Sequence, residues 1–395
     1  MTASQLLELE PALNRFAAFF SECFQSDQSA SHFSTYLRGL LSDLPRKSIE
    51  PIALFAGTPP RTLQQFLKHH AWDAAVNRDR LHERIALSLD AISDDLGTVA
   101  LLDETSVVKK GIKTPGVQRQ YLGCIGKIEN GIVTVHLGVS RGSFKCLIDS
   151  DLFLPQSWSN DRPRCREAGI PDELVHRTKC QMALDQLDRA ALNDLKFDWL
   201  TFDEGYGMSP GFLMALTARK QKFVAEVPRT FRCLAMRRDG RRPEGRISTR
   251  TAETVVRGSS VFLSQEWQVL RLKRKAMEDQ VWRVKAARVW LRNGERVATD
   301  GYWLIWACND GTGEEKFFVS NGKSEEKVEH LMRVAFRRAE VEHAFRICKQ
   351  ELGFGHFEGQ NYEAMMRHQM ICLSAMAFAA ETTQRLRGEK PIGDG

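Results

Sequence analysis

Two short apolar runs constrain this chain more than any other feature. Thr98-Val99-Ala100-Leu101-Leu102 ends at Asp103-Glu104, and Phe197-Asp198-Trp199-Leu200-Thr201-Phe202 ends at Asp203-Glu204. Runs this short and this apolar read as strands buried on both faces rather than as helices. Residues 172–195 and 211–220 carry helical periodicity, and Lys222-Phe223-Val224-Ala225-Glu226-Val227 reads as a further strand closed by Pro228. Strands alternating with helices predict an α/β or mixed sheet. In such a sheet, a charged residue directly after a buried run lies at the strand end, where ligands bind.

The flanking regions have different textures. Residues 6–20 and 31–41 read as helices, and residues 46–57 as a short helix ending at Gly57. In the next stretch Thr58 can cap and Pro59-Pro60 suit a helix opening. Leu63, Phe66 and Leu67 then form an apolar side, with Arg61, Gln64, Gln65 and Lys68 outward. That is the layout of a helix-turn-helix DNA reader, and equally of a plain helical hairpin with solvated polar residues. Gly131 to Val139 and Cys146-Leu147-Ile148 read as strands. Residues 229–322 look like a basic, β-rich insertion. Its first part carries Arg232, Arg237, Arg238, Arg241, Arg242, Arg246 and Arg250, and its strands hold five of the eight tryptophans, which read as core. Residues 324–352 read as one long helix broken at Gly353 and Gly355, and 361–387 as another. The expected division is 1–92, helical and DNA-binding; 93–228, the first part of the core; 229–322, the insertion; and 323–395, the rest of the core and closing helices.

Composition narrows the class. Hydrophobic residues are 43% and charged residues 27%, as in globular proteins. The longest apolar runs, such as 371–380, fall short of the roughly 20 residues that span a bilayer. No basic segment followed by an apolar one opens the chain, so no secretory signal is visible and a cytoplasmic protein is expected. The net charge of +6 permits a polyanionic partner. Nine scattered cysteines without a CxxC pair read as reduced, buried or half-buried thiols.

Asp103 and Asp203 end buried strands, and the predicted long helix supplies a third acid. At helical spacing Arg338, Glu342, Phe345 and Lys349 share a narrow arc, beside an apolar stripe of Val334, Val341 and Cys348. Singly, a strand-end aspartate is ordinarily a turn residue or helix cap. Three converging carboxylates repel unless a cation neutralises them, and oxygen donors suit Mg²⁺ or Mn²⁺. Two such ions can activate the attacking oxygen and stabilise the leaving oxygen of a phosphodiester. Arg338 and Lys349 would hold flanking phosphates. Glu104 and Glu204 are rivals of the adjacent aspartates, since strand neighbours face opposite ways. Asp149, Asp151, Asp185 and Asp188 read as loop or helix-surface acids. Asp, Asp and Glu on strand, strand and helix are the arrangement of an RNase H-like core, here interrupted by the β-rich insertion.

Several blocks then resemble bacterial insertion-sequence transposases of the DDE superfamily. They are Leu102-Asp103-Glu104-Thr105 with Lys109-Lys110-Gly111; Gly116-Val117-Gln118-Arg119-Gln120-Tyr121; Leu154-Pro155-Gln156-Ser157-Trp158; Asp203 with Tyr206-Gly207; and Glu342 to Gly353. Arg338, Glu342 and Lys349 match the last three positions of the Tyr-Arg-Glu-Lys signature of the cut-and-paste clade, whose first position is Ala335 here. The resemblance implies a transposase that binds terminal inverted repeats in double-stranded DNA, cleaves at element ends and joins strands to target DNA. It also implies Asp103, Asp203 and Glu342 as metal ligands and a dimer on paired ends. Arg61, Gln64, Lys68, Arg237, Arg238, Arg241 and Arg242 are the expected further DNA contacts. The rivals are a nuclease or resolvase without transposition and a non-catalytic DNA-binding regulator.

Overall fold

The computed structural model describes residues 2–237, 243, 248–274 and 277–388, which fall into two compact units. The first comprises Met1–Asp94, Asp103–Lys196 and Glu340–Gly395; the second comprises Asp95–Leu102 and Phe197–Ala339.

In the first unit the sheet is built from β1 (Val99–Val108, from Asp103 onward), β2 (Gln118–Leu122), β3 (Lys127–Arg141) and β4 (Phe144–Leu152). The long β3 pairs with β2 through its first residues, Tyr121 opposite Ile128, and with β4 through its last, Arg141 opposite Phe144. β1 lies on the other side of β3. β3 is buried from Gly131 to Ser140, which explains why the sequence there is β-branched on both faces.

The Tyr362–Gly388 helix is buried almost without a break from Ala364 to Ala380, as a helix enclosed on every side is. It packs against β4 and against the Asp27–Leu41 and Ala74–Asp90 helices, with Ile371, Cys372, Ala375 and Ala377 fully buried. The rings of Phe16 and Phe378 lie 5.4 Å apart. Arg84 holds Glu381 through two hydrogen bonds of 2.8 Å. Buried Arg367 donates to the carbonyls of Leu67 and Trp72, at the end of the Pro60–Lys68 helix and just beyond it. The apolar faces of the N-terminal helices are therefore covered by the C-terminal helix, and one core serves both ends of the chain.

Several sequence expectations shift here. The Pro60–Lys68 helix has Pro59 at its N-cap and no side-chain cap, so Thr58 does not play that part. Leu63, Phe66 and Leu67 are buried, as their spacing predicts. The helix expected over 172–195 runs only over Lys179–Leu192, because Thr178 and Gln181 form a capping box at its start. Asp149 and Asp151 are not loop acids. Both lie on β4, where Arg189 of that helix meets Asp149 Oδ2 at 2.9 Å and Asp151 Oδ2 at 2.5 Å. Burial pushes the Asp149 carboxyl up, against the pull of Arg189.

In the second unit the first residues of β1 pair in parallel with β5 (Trp199–Phe202), and β5 pairs in parallel with β6 (Phe223–Val227). The β-rich stretch adds β7 (Arg232–Ala235), β8 (Arg250–Thr251), β9 (Gln268–Arg274), β10 (Met277–Trp290), β11 (Arg292–Asn293), β12 (Arg296–Val297), β13 (Tyr302–Asn309) and β14 (Glu315–Ser320). β14 joins β6 antiparallel, Phe317 beside Val227, and β13 and β10 follow. The basic stretch thus continues the sheet that carries Asp203; β11 and β12 pair only with each other. Within this stretch, residues 260–263 form a helical turn before β9. Trp282 and Trp290 are core, as expected, whereas Trp267 and Trp306 are half-buried, 4.7 Å apart, with Arg257 and Lys285 over them.

The long helix expected over 324–352 is two helices. Val328–Phe336 packs in the second unit on β5 and β6; a turn at Arg337 and Arg338 follows, and Ala339–Gln350 begins after it. Eight of the nine cysteines are buried or half-buried, with Cys124 exposed. No helix among the described residues is long and apolar enough to cross a membrane.

Candidate active site

The parallel register in the second unit sets Leu102 beside Phe202 and Phe202 beside Ala225. The next residue along each strand is an acid: Asp103 on β1, Asp203 after β5 and Glu226 on β6. Of these strands only β5 ends before its acid; β1 runs on to Val108, and Glu226 pairs with Phe318 of β14.

Each acid is held by its surroundings. Asp203 caps a helical turn, its Oδ1 accepting from the Gly205 amide at 3.0 Å and the Tyr206 amide at 3.4 Å. That turn closes against β6 so tightly that a Cβ on Gly207 would sit 1.9 Å from the Glu226 carbonyl oxygen. Glu226 is ion-paired to Lys316 at 2.7 Å and lies 4.0 Å from Arg338 Nε. The sequence reading passed over Glu226, whose only signal was its place one residue after a buried strand run. Arg338 is in the turn that ends the second unit, and not on the helix that bears Glu342.

In the first unit Asp103 is half-buried and its Oδ1 accepts from the Glu104 amide at 2.7 Å. Glu104, its rival, points to Lys179 and forms an ion pair with it. Lys349 comes to the same strand: its Nζ donates to the Ser106 carbonyl at 3.3 Å. Burial lowers the Lys349 ammonium, while Cys124 and Asp103 pull it back up. Asp103 and Lys349 are thus brought within electrostatic reach of each other. The helix that carries Lys349 is fixed by Val341, Ala344, Phe345 and Cys348, all buried, with Phe345 5.2 Å from the His136 ring of β3. Glu340 anchors its start through Lys145 at 3.0 Å and Ser140 Oγ at 2.9 Å. Glu342 is exposed, in the first turn of that helix and two turns before Lys349.

Among the described residues, no three His, Cys, Asp or Glu side chains are gathered as a metal-binding group. The candidate donors are all carboxylate oxygens, a set that fits a hard divalent cation rather than zinc. Of the expected DNA contacts, Arg61, Gln64 and Lys68 are exposed on the Pro60–Lys68 helix, and Arg237 is exposed after β7. Arg238, Arg241 and Arg242 lie outside the described residues.

Residues 19–288 match the family of DDE superfamily endonucleases. That span contains Asp103 and Asp203 and stops short of Glu342. Over 219 residues the chain is 30% identical to the probable transposase for insertion sequence element IS701 of Microchaete diplosiphon, covering 54% of this chain and 53% of that protein. The chain therefore spans about half the length of the curated relative it matches.

Proposed function

The chain belongs to the DDE superfamily of endonucleases, and from that premise we propose that it is a DNA transposase with an RNase H-like catalytic core. It would bind terminal inverted repeats, cut phosphodiesters at element ends and transfer the freed strands to target DNA. The observation that carries this reading is the register of β1 and β5, which pairs Leu102 with Phe202, each the residue before an aspartate. The likeness to an insertion-sequence transposase supports the substrate.

On this reading Asp103, Asp203 and Glu342 hold one or two Mg²⁺ or Mn²⁺ ions. The ions would supply charge neutralisation at the attacking and leaving oxygens of the phosphodiester. Lys349, beside Asp103, offers its ammonium to the non-bridging oxygens of a neighbouring phosphate, and Arg338, placed by Glu226, offers a planar fork to another. Glu104 stays with Lys179 and positions the strand. The Pro60–Lys68 helix, as the second helix of a helix-turn-helix, would present Arg61, Gln64 and Lys68 to the duplex, with the arginines after β7 adding backbone contacts. Two ends have to be paired, so a dimer on DNA is expected.

The test is incubation of the purified chain with a duplex carrying the inverted repeats that flank its gene, a target plasmid and Mg²⁺. Nicks at the repeat boundary and covalent joining to the plasmid are expected. Cutting without joining would leave a nuclease or resolvase, and repeat binding without cutting in Mg²⁺ or Mn²⁺ would leave a DNA-binding regulator.

A further inference from the structure

The hairpin of β2 and β3 exposes an apolar pair where a solvated edge ordinarily carries polar side chains. Tyr121 and Ile128 stand directly opposite each other and are 64% and 58% exposed. Arg119, two residues before Tyr121, lies on the same face by the alternation of a strand. Ile125 in the turn and Ile112 before β2 add exposed apolar surface. β2 is the end strand of its sheet, so its outer edge has no further strand beside it. Between Val108 and Gly131 the chain carries Lys110, Arg119 and Lys127, all exposed, against the single acid Glu129; Lys109 is turned to the Phe357 carbonyl and Lys113 to Glu167. An exposed aromatic and a β-branched side chain among cations form a surface that excludes water at its centre and attracts polyanions at its rim.

Its location gives it a role. The turn of the hairpin is tied to β1 by the Cys124 amide, which donates to Ser106 Oγ at 3.1 Å. The carbonyl of that same Ser106 receives Lys349. The hairpin turn therefore adjoins the lysine proposed to hold a phosphate and lies a few residues along β1 from Asp103. DNA seated at Lys349 would meet this face next.

We propose that the β2–β3 hairpin binds unpaired nucleotides at a DNA end, with Tyr121 stacking on a base, Ile128 packing beneath it, and Arg119 and Lys127 on the adjoining phosphates. The inference rests on the transposase reading and adds what that reading lacks, a place for the strand that leaves the duplex. Stacking needs a base whose face is free, so the hairpin distinguishes an opened end from a closed duplex. Apolar side chains at a duplex end also favour unstacking.

The experiment compares two fluorescent DNA probes of one sequence taken from the flanking repeat, one fully paired and one splayed at its end with 2-aminopurine in the unpaired strand. The wild-type chain binds the splayed probe more tightly and quenches the 2-aminopurine. Tyr121→Ala with Ile128→Ala lowers affinity for the splayed probe about tenfold, to that for the paired one, and removes the quench. Tyr121→Phe retains both. Both side chains are exposed, so folding is not at stake. Equal behaviour of wild type and double variant on both probes overturns the inference, as does an equal loss on both. A lower sedimentation coefficient of the free double variant also overturns it, since the face would then bind a second copy of the chain. These outcomes leave wild-type binding and Mg²⁺-dependent nicking of the paired probe intact. Absence of both in the wild type brings down the transposase reading and this inference with it.

Discussion

Leu102 stands directly beside Phe202 in the parallel β1–β5 pair, and an aspartate follows each. The two residues are a hundred positions apart, and only the sheet pairs them. A shift of one residue in that register would leave one aspartate a strand step behind the other. The buried faces of Val99 to Leu102 and Trp199 to Phe202 hold the register, because sliding either strand would expose apolar side chains.

Asp103 and Glu104 are therefore expected to differ in kind. Asp103→Asn removes a proposed metal ligand and leaves basic surfaces intact. Cleavage should fall by more than the about hundredfold seen for residues that only support a ligand, while duplex affinity is retained. Glu104→Gln breaks the pair with Lys179, with a smaller effect on cutting. Nicking gels and anisotropy on the same preparations decide it; equal cutting by Asp103→Asn and wild type would sink the metal assignment.

Gly207 should be intolerant of any side chain. A Cβ there would lie 1.9 Å from the Glu226 carbonyl oxygen, which β6 holds in its pairing with β14. Gly207→Ala is expected to cost about 1–3 kcal/mol through forced backbone movement. Gly258→Ala, where nothing lies within 4 Å of the added methyl, is the control. Denaturant midpoints should separate the two; equal midpoints would show that the turn has room.

What was legible in the chain follows from distance. The runs Val99 to Leu102 and Trp199 to Phe202 were readable because full burial writes itself as an unbroken apolar run, but the first strand does not end at Asp103 as expected: it carries Asp103 and Glu104 and runs on to Val108. The apolar side of the Pro60–Lys68 helix was readable for the same local reason. The break at Arg337 and Arg338 was not, since neither glycine nor proline marks it. Asp149 looked like a surface acid because Arg189, which makes its burial tolerable, is 40 residues away. The ion pair of Glu104 with Lys179 and the approach of Arg338 to Glu226 were not legible, since neither partner is a sequence neighbour. Lys349 was found from helical spacing, but its seat on the Ser106 carbonyl required the fold.

Arg61 and Lys68 give a prediction that reads electrostatics alone. Both are exposed on the Pro60–Lys68 helix, opposite buried Leu63, Phe66 and Leu67. If each neutralises one phosphate, Arg61→Ala with Lys68→Ala lowers the slope of log affinity against log salt by about 2. Thermal stability should be unchanged. An unaltered slope measured from low to physiological salt would remove this helix from the DNA interface.

Acid should unfold the first unit through its buried histidines. His82 Nε2 donates to the Ile148 carbonyl at 3.1 Å, and its Nδ1 accepts from Asn193 at 3.0 Å. His368 is bound in the same way, with Nε2 donating to the Gly353 carbonyl at 3.2 Å and Nδ1 accepting from Tyr36 Oη at 2.9 Å. Each ring is neutral in these bonds, and a second proton would turn the Nδ1 acceptor into a donor. Burial lowers both to about 4 from the ordinary 6.5. The unfolded chain then binds more protons than the folded one between those values. Stability is full above pH 6.5, falls as pH drops, and has lost about 3 kcal/mol per histidine once pH passes below 4. His82→Asn should lower stability at neutral pH yet flatten this acid limb. Urea midpoints taken from pH 7.5 to pH 4 measure both, and parallel limbs for wild type and variant would show that His82 takes up its proton equally in the two states.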